Sequence, residues 1–461
     1  MMSNYPLSSN RSDSHCVKSR TKDLRAVYLR CRFWLNDFLH GSPIGKPYRE
    51  IKYIQEHSYE KGLAIREKNL HRLLDHARRH SSFYKNIAGC CLEYFPVMNK
   101  LSLKEHYDEI KVPDKDIPGQ QGKVHIQTTS GSTGTPFAVP QDTRKRNRRI
   151  AELKYFGKIV GFKTHDKLIH LRTWNQWQQK TAKQIKKENI VPFDISSMGE
   201  VDLKRLCELI LKEKAVCLRG YASSLGLLAR YADGKGFRFP HLKVAIAGSE
   251  TLHDDTRSLY KRVIGGEIIS QYANEECGIL AQERVPTAEL DNRMYWNYSG
   301  YYIELLKLDS DEPADFGELG RVVITDLYNY AFPIIRYDNG DTAVLLPPNE
   351  YSNGYPVLGK LYGRRFDLTF TTSGAEVFPL TYGRILKHYE DIVQWQFIQE
   401  GPKDYLLKVI LRKQNGMLQG VTDLLKEKLG SDANIQIEYV DDIPVLASGK
   451  RKPVVNNWKK S

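Results

Sequence analysis

The chain has few cysteines, and their positions exclude two common roles. Its seven cysteines stand at irregular spacings without a C-x-x-C pair, which argues against both a disulfide framework and a zinc site. It also lacks an apolar run of about 18 residues, the length that a transmembrane helix needs. The first residues contain no apolar segment of the kind found in secretory signal peptides. Together these absences predict a cytoplasmic protein without a transmembrane segment.

A balance between acidic and basic residues is also missing, since the 461-residue chain has a net charge of +14. Such a charge can indicate binding to nucleic acid or to an anionic membrane. Lysine and arginine are spread along the chain, however, with no long basic tract and no recognisable nucleic-acid-binding module. We therefore expect no nucleic-acid partner, and we interpret the charge as that of a basic enzyme with an anionic ligand.

The N-terminal region begins with a polar, basic stretch, residues 1–23, that we expect to be a disordered tail. A helical pattern follows, and six of its apolar residues share one face: Leu24, Val27, Tyr28, Leu35, Phe38 and Leu39. Arginines interleave with them, and a basic amphipathic helix can lie on anionic lipid. Such a stripe is more often packed in a core, so we expect core packing and keep peripheral membrane contact as the alternative.

The most informative stretch is Thr128–Pro136, which reads Thr-Thr-Ser-Gly-Ser-Thr-Gly-Thr-Pro. Glycine permits a tight turn and a close approach to a ligand, and successive backbone N–H groups can form an anion-binding concavity. The candidate phosphate contacts are Thr128, Thr129, Ser130, Gly131, Ser132, Thr133 and Gly134. Most runs of this composition are plain surface turns, and the chain has no Walker A lysine. The run alone therefore leaves a phosphate cradle and a surface loop open.

The pattern from residue 144 to residue 272 alternates helices with short apolar strands that end in glycine or polar turns. This alternation predicts an α/β fold with mixed and parallel sheets. Ligands bind beyond the carboxyl ends of such strands, which is where Gly248-Ser249-Glu250 and Tyr272 fall. After residue 368 the pattern changes to that of a small α+β domain.

Five stretches, taken in order, resemble the AMP-forming adenylating enzymes of the acyl-CoA synthetase and luciferase superfamily. They are Thr128–Pro136, Tyr272–Gly278, Pro333–Asp341, Gly363–Asp367 and Ser448–Lys450. Phe83-Tyr84-Lys85 and Phe95–Lys100 further resemble the phenylacetate–CoA ligase-like branch, which includes CapK-like and coenzyme F390 synthetase-like proteins. Phe137 departs from the superfamily pattern, because many relatives have a lysine at this place.

The resemblance implies two domains and a set of roles. Residues 24–362 would be a large ATP- and acid-binding domain, and residues 363–461 a small mobile lid with its hinge at about 363–367. By resemblance the adenine side is formed by Gly248, Ser249, Glu250, Tyr272 and Asn274. Glu276 would bind Mg²⁺, although the adjacent Glu275 leaves this assignment ambiguous by one residue. Asp341 would bind the ribose, Arg364 the ribose or a phosphate, and Lys450 the α-phosphate and the substrate carboxylate.

The activity that the resemblance implies is an AMP-forming ligation. A carboxylic acid would react with Mg-ATP to give an acyl-adenylate, and the acyl group would pass to a thiol, with CoA as the expected acceptor. Two alternatives stay open: transfer to an amine or hydroxyl in capsular or cell-surface polysaccharide biosynthesis, and a non-catalytic nucleotide-binding scaffold. Three aromatic residues are candidates for the acyl pocket, where they would suit an aryl acid, although core packing explains them nearly as well: Trp174, Trp177 and Tyr221.

Overall fold

The structure is a computed structural model. It describes residues 23–128, 137–174, 180–196, 198–284, 293–364, 369–377, 379–386, 388–389, 391–412, 418, 420–443 and 453–458. The helices are Leu24–Leu39 (α1), Gly45–Glu56 (α2), Tyr59–His80 (α3), Lys100–Glu105 (α4), Tyr107–Ile110 (α5), Thr143–Ile159 (α6), Ala182–Glu188 (α7), Glu200–Lys212 (α8), Ala222–Lys235 (α9), Asp254–Ile264 (α10), Pro379–Leu386 (α11) and Val421–Leu429 (α12).

The strands are His125–Thr128 (β1), Ala138–Gln141 (β2), Leu168–Arg172 (β3), Ile190–Asp194 (β4), Cys217–Tyr221 (β5), Val244–Gly248 (β6), Glu267–Asn274 (β7), Gly278–Glu283 (β8), Met294–Trp296 (β9), Tyr301–Leu306 (β10), Leu319–Asp326 (β11), Tyr337–Leu346 (β12), Val357–Arg364 (β13), Thr369–Phe370 (β14), Glu376–Val377 (β15), Ile392–Gln399 (β16), Asp404–Leu411 (β17), Asn434–Tyr439 (β18) and Val454–Asn456 (β19).

An eleven-stranded mixed sheet is the centre of the fold, with the strand order β10-β11-β12-β13-β9-β8-β7-β6-β5-β3-β4. The five strands from β7 to β4 pair in parallel, as the alternating pattern predicted. The strands from β10 to β8 pair antiparallel, and so do β8 and β7. The carboxyl ends of the parallel strands therefore meet at one edge, where the predicted adenine-side turns follow β6 and β7.

Helices cover one face of the parallel half because their apolar residues recur at helical spacing. In α8, Leu203, Leu206 and Ile210 are buried at intervals of three and four residues. They share a core with α9, α10 and the side chains of β3, β5 and β6 that point the same way. The opposite face of these strands packs against the end of α6 through a smaller apolar cluster. The parallel strands are thus buried on both sides.

A separate four-stranded sheet follows, with the order β18-β17-β16-β19. Its own apolar core includes Phe397 and Leu407 from the sheet and Val421 and Leu425 from α12. The predicted α/β fold with a large sheet and a C-terminal domain is therefore confirmed. The boundary at residues 362 and 363 and the hinge stay predictions.

The expectation for residues 24–39 was half right. They form α1, but the stripe does not pack in the core: Leu24, Tyr28, Leu35, Phe38 and Leu39 are exposed. Phe33 and Trp34 on the other side of the helix contact the body of the protein instead. Helical spacing showed that a face exists but could not show which way it points.

A buried aspartate connects the start of α6 to the loop after β11. The Asp142 carboxylate caps α6 by accepting a hydrogen bond from the Lys145 backbone N–H at 2.7 Å. It also accepts the backbone N–H groups of Tyr330, at 2.6 Å, and Ala331, at 3.2 Å. Burial raises its pKa. One side chain thus satisfies three backbone donors that water does not reach.

Replacing Asp142 by alanine is expected to lower the free energy of unfolding by about 2–4 kcal/mol, because a cap and two further buried N–H groups lose their acceptor. Urea unfolding measures the change. Asp23→Ala is the matched control, since Asp23 caps the exposed start of α1 and its loss should cost about 1 kcal/mol or less. Equal losses in the two variants would contradict the bracing role of Asp142.

Candidate functional site

Strands β1 and β2, which flank the glycine-rich run in the sequence, pair as an antiparallel hairpin. Thr128 pairs with Ala138 at the last rung, so residues 129–137 connect the two strands. Gln127 and Gln141 extend from this hairpin to the turn after β7, where they donate hydrogen bonds to the Glu275 side chain at 2.9 Å and the Glu276 carbonyl at 3.1 Å. The hairpin and that turn therefore form one unit.

The turn contains the two carboxylates between which the sequence could not choose. Glu275 accepts the hydrogen bond from Gln127, and its carbonyl accepts one from Arg149 of α6 at 2.9 Å. Glu276 is 6% exposed, and its carboxylate lies 3.3 Å from the Lys100 ammonium. Glu275 is thus engaged with the hairpin and α6, whereas Glu276 belongs to a separate charged pair. The two neighbouring carboxylates therefore have different partners.

Lys100 is a site residue that the sequence analysis did not propose. It opens α4, which Asn99 caps, and its ammonium lies 5.9 Å from the ring centre of Phe137. Phe137 is the residue that replaces the lysine of many relatives. The structure thus brings a lysine from another segment next to this phenylalanine and to Glu276. The Phe95–Lys100 match was the signal that could have led to it.

The segment before Lys100 is held by backbone bonds to the Pro333–Asp341 stretch. The Met98 N–H donates to the Arg336 carbonyl, and the Met98 carbonyl accepts from the Asp338 N–H, both at 2.9 Å. The Arg336 side chain pairs with Glu304 at 3.0 Å and donates to the Phe95 carbonyl at 3.2 Å. Arg336 has φ 47°, a left-handed conformation that is rare outside glycine. The segment that precedes Lys100 is therefore held, through Met98, by a residue in a rare backbone conformation.

The predicted adenine and ribose residues are in direct contact. The Tyr272 hydroxyl donates to the Asp341 carboxylate at 2.6 Å and accepts from the Asn339 amide at 2.5 Å. The Tyr272 ring packs edge-on against Trp296 with ring centres 6.2 Å apart. Burial raises the pKa of Tyr272 well above its usual value, and the negative charge of Asp341 raises it further. The hydroxyl therefore keeps its proton. The backbone of Arg364 pairs with that of Asp341 across β12 and β13.

The remaining adenine-side candidates follow β6 and β7. Gly248 pairs with Gln271, and Ser249 has φ 67°, a strained conformation at the end of a strand. The Glu250 carboxylate accepts the Ser223 N–H at 2.8 Å. The Asn274 side chain accepts the Cys277 N–H, and its amide nitrogen is buried with no hydrogen-bond partner among the residues that the structure describes. An unsatisfied buried donor at this edge is suited to a polar ligand.

Two of the proposed acyl-pocket residues lie at the ends of β3 and β5. The Trp174 indole donates to the Phe193 carbonyl at 3.2 Å, and its ring lies 5.4 Å from His170. Tyr221 is the last residue of β5 and pairs with Gly248. Outside the described residues lie Thr129, Ser130, Gly131, Ser132, Thr133, Gly134, Trp177 and Lys450. For Arg364, the structure describes the backbone only.

The described residues fit a nucleotide and a metal that shares its phosphates. Tyr272, Asn274 and Asp341 offer a ring, an unsatisfied donor and a carboxylate along one edge. Within the described ranges, no group of three or more histidine, cysteine, aspartate or glutamate side chains could hold a metal ion by itself. Mg²⁺ commonly uses one or two carboxylates together with substrate phosphates, which matches a lone Glu276. No helix among those residues is long and apolar enough to cross a membrane.

Known proteins resemble this chain over much of its length. A family model described as the CapK C-terminal domain matches residues 370–457. Protein CapK of Staphylococcus aureus is 21% identical over 448 residues, which cover 90% of this chain and 95% of CapK. Phenylacetate-coenzyme A ligase of Pseudomonas putida is 25% identical over 341 residues, which cover 68% of this chain and 74% of that protein.

Solved structures share the fold. 2-Hydroxyisobutyryl-CoA ligase in the postadenylation state with 2-HIB-AMP has a TM-score of 0.69 at 16% identity, covering 88% of this chain and 91% of that one. The anthranilate CoA ligase AuaEII in complex with anthranoyl-AMP has a TM-score of 0.53 at 16% identity, covering 70% of this chain and 65% of that one. The likeness in fold extends over most of the chain.

Arg336→Met is expected to lower the free energy of unfolding by about 2–4 kcal/mol, because it leaves the half-buried Glu304 carboxylate without its cation. The Met98 amide proton should also exchange faster with deuterium, since its acceptor is the Arg336 carbonyl. Urea unfolding and hydrogen exchange measure the two effects. Adding Glu304→Gln should recover part of the stability, because no lone charge then remains. Unchanged exchange at Met98 would contradict the anchoring role.

Proposed function

We propose that this chain, a member of the AMP-forming adenylating superfamily, activates a carboxylic acid with Mg-ATP to form an acyl-adenylate and pyrophosphate. The observation that carries the proposal is the convergence of the Lys100–Glu276 pair and the Tyr272–Asp341 bond around one hairpin. These four residues come from three separate parts of the sequence. Their arrangement offers a cation, a metal-binding carboxylate, a ring and a ribose acceptor along one edge of the sheet.

Each side chain has a role that its chemistry supports. Tyr272 would lie against adenine, Asp341 would accept the ribose hydroxyls, and Glu276 would hold Mg²⁺. When bound, the metal supplies positive charge to the phosphate oxygens. Residues 128–134 would bind the phosphates, and Lys450 would neutralise the α-phosphate while the substrate carboxylate attacks it. Preorganised charges of this kind stabilise the transition state without reorganisation during the reaction.

Lys100 compensates for the missing loop lysine in this proposal. Its ammonium lies beside both Phe137 and Glu276, and it is anchored through α4 and Arg336 rather than through the glycine-rich run. A cation at this position would neutralise the β- or γ-phosphate when ATP is bound.

The acceptor of the acyl group is a thiol in this proposal, and CoA is the thiol. The support is that relatives and structural neighbours named as CoA ligases cover most of the chain. The alternative is transfer to an amine or hydroxyl in cell-surface polysaccharide assembly, the role expected of a CapK-like branch. The match to CapK over nearly the full length of both chains favours keeping that alternative. The third candidate function is that of a non-catalytic nucleotide-binding scaffold.

Acid-dependent release of pyrophosphate from Mg-ATP, measured across a panel of carboxylic acids with and without CoA, tests the proposal. Lys450→Ala, Lys100→Ala and Glu276→Gln should each lower the rate by about 10²–10³, because each removes a preorganised charge. Glu275→Gln is the matched control and should retain most of the activity. A further increase with CoA would select the thiol as acceptor.

Two results would contradict parts of this proposal. If Glu275→Gln and Glu276→Gln lower the rate of pyrophosphate release equally, the assignment of Glu276 as the metal ligand is wrong. ATP binding without pyrophosphate release for any acid would favour the scaffold. An activity that Lys450→Ala leaves unchanged would also favour it.

A further inference from the structure

A cationic cluster lies on the parallel half of the sheet, and the proposed function leaves it without a role. His170 and Arg172 are on β3, and Arg219 and Tyr221 are on β5. The two strands pair in parallel with His170 opposite Arg219. Because side chains alternate between the two faces of a strand, all four side chains lie on the same face.

The two arginines have no carboxylate partner in the part of the chain that the structure describes. Arg219 donates to the Gln271 amide oxygen at 2.8 Å, and the Arg172 Nε atom is buried without a hydrogen-bond acceptor. The neighbouring Thr173 hydroxyl is also buried and unsatisfied. Burial lowers the pKa of His170 well below its usual value, and the positive charges of Arg219 and Arg172 lower it further. Both cations therefore lie near a neutral imidazole.

Several enclosed cations elsewhere in the chain are paired. Their ion pairs include Lys145 with Asp326 at 2.5 Å, Arg257 with Glu283 at 2.6 Å and Arg321 with Asp338 at 3.1 Å. Enclosing a charge without a counter-ion is costly. Two half-buried arginines without an acid among the described residues are therefore suited to an anion from outside the chain.

The cluster lies across the sheet from the adenylate-binding candidates. Tyr221 pairs with Gly248 on β6, and Gly248 pairs with Gln271 on β7, one residue before Tyr272. From β7 to β3 there are three strand spacings, or about 14 Å. The Arg172 guanidinium lies 5.6 Å from the ring centre of Trp174. Arg172 is therefore at the far end of the predicted acyl pocket as seen from the nucleotide, whereas the Arg219 guanidinium reaches back to Gln271 of β7.

We propose that Arg172, with Arg219 as a further positive charge on the same face, binds an anionic group at the far end of the acid substrate, so that the enzyme activates a dianionic acid in preference to an aryl monoacid. The proposal rests on the adenylating function proposed above. The distal group is a carboxylate, phosphate or sulfate, each of which accepts hydrogen bonds from a guanidinium fork. Trp174 and Tyr221 form the walls between the two ends.

The test compares straight-chain dicarboxylic acids with their monomethyl esters, which keep the length and remove one charge. In pyrophosphate release, kcat/KM of the wild type should favour the best diacid by at least about 100-fold, because the monoester leaves a half-buried arginine without its anion. Arg172→Gln should reduce that preference at least tenfold through the KM of the diacid. Arg205→Gln, which removes an exposed arginine on α8, should leave the preference unchanged.

An aryl monoacid preferred over every diacid, or a preference unaltered by Arg172→Gln, would overturn this inference. Arg172 is chosen because a substitution of the more deeply enclosed Arg219 could unfold the protein. Calorimetric binding of the diacid without ATP separates the two levels of the proposal. Binding that depends on Arg172 but yields no pyrophosphate would contradict the adenylating function and keep the anion site, and absence of binding would overturn the site.

A second and independent observation concerns α1, whose apolar face points away from the protein. Phe38 is 71% exposed and Leu35 is 60% exposed, and the same face contains Leu24, Tyr28 and Leu39. The helix is nonetheless fixed on the body. Arg30 pairs with Asp166 at 2.5 Å, and buried Asp37 accepts the backbone N–H groups of residues 44 and 45. The exposed face is therefore a preformed surface.

The charges beside this face are positive. Arg25 and Arg32 are exposed on α1, and Asp37, the acidic residue of that helix, is buried. The Arg25 guanidinium lies 3.5 Å from the Lys186 carbonyl of α7, a helix with three exposed lysines: Lys183, Lys186 and Lys187. An apolar stripe beside a row of cations is complementary to the surface of an anionic bilayer. We propose that α1 binds anionic phospholipid.

Co-sedimentation with vesicles of phosphatidylcholine, alone or with equimolar phosphatidylglycerol, tests this surface. The wild type should bind the anionic vesicles and not the neutral ones. Leu35→Glu/Phe38→Glu should weaken binding at least tenfold. Val201→Glu, at another exposed apolar residue, is the control and should have no effect. Absence of binding, or a dimer that this double variant converts to a monomer without any vesicle binding, would overturn the proposal.

Discussion

The hydrogen bond between Tyr272 and Asp341 depends on a strongly curled sheet. In strand order, β7 and β12 are separated by three strands, so a flat sheet would place them four spacings, or about 19 Å, apart. Their side chains nevertheless meet at 2.6 Å. Register shifts between β12 and β13 mark β-bulges, which increase twist and bend a strand. The curl brings β7 and β12 close enough for these two side chains to meet.

The distribution of charge follows from the same architecture. Several buried cations away from the candidate site have carboxylate partners, as in the pairs of Lys145 and Arg257. At the site edge, Lys100 pairs with the carboxylate that we propose for the metal, and Arg172 and Arg219 have no carboxylate partner among the described residues. Perturbed charged groups cluster at functional sites, so this difference adds to the case for an anion site.

Much of the fold followed from local pattern. The strands ending near Gly248 and Tyr272 and the helix over residues 200–212 were predictable because alternation and helical spacing record which side chains are buried. The order of the antiparallel strands was not predictable, since pairing depends on contacts that are distant in sequence. Lys100 illustrates the same limit: the sequence gives its motif but not its position beside Glu276.

The outward face of α1 and the choice between Glu275 and Glu276 share a physical reason. Periodicity assigns a residue to a face, but the direction of that face is decided by the neighbours, here the anchoring of Arg30 and Asp37. Likewise two adjacent carboxylates are equivalent in sequence and become distinct when Gln127 binds one and Lys100 the other.

In the proposed site the phosphate-facing cation comes from the Phe95–Lys100 segment. Met98 of this segment exchanges backbone hydrogen bonds with Arg336 and Asp338, at the start of the strand that contains Asp341. Lys100 and the proposed ribose-binding carboxylate are thus connected through these backbone bonds. The proposal therefore makes the sheet position the phosphates relative to the ribose, which suits a reaction whose main requirement is alignment of charge.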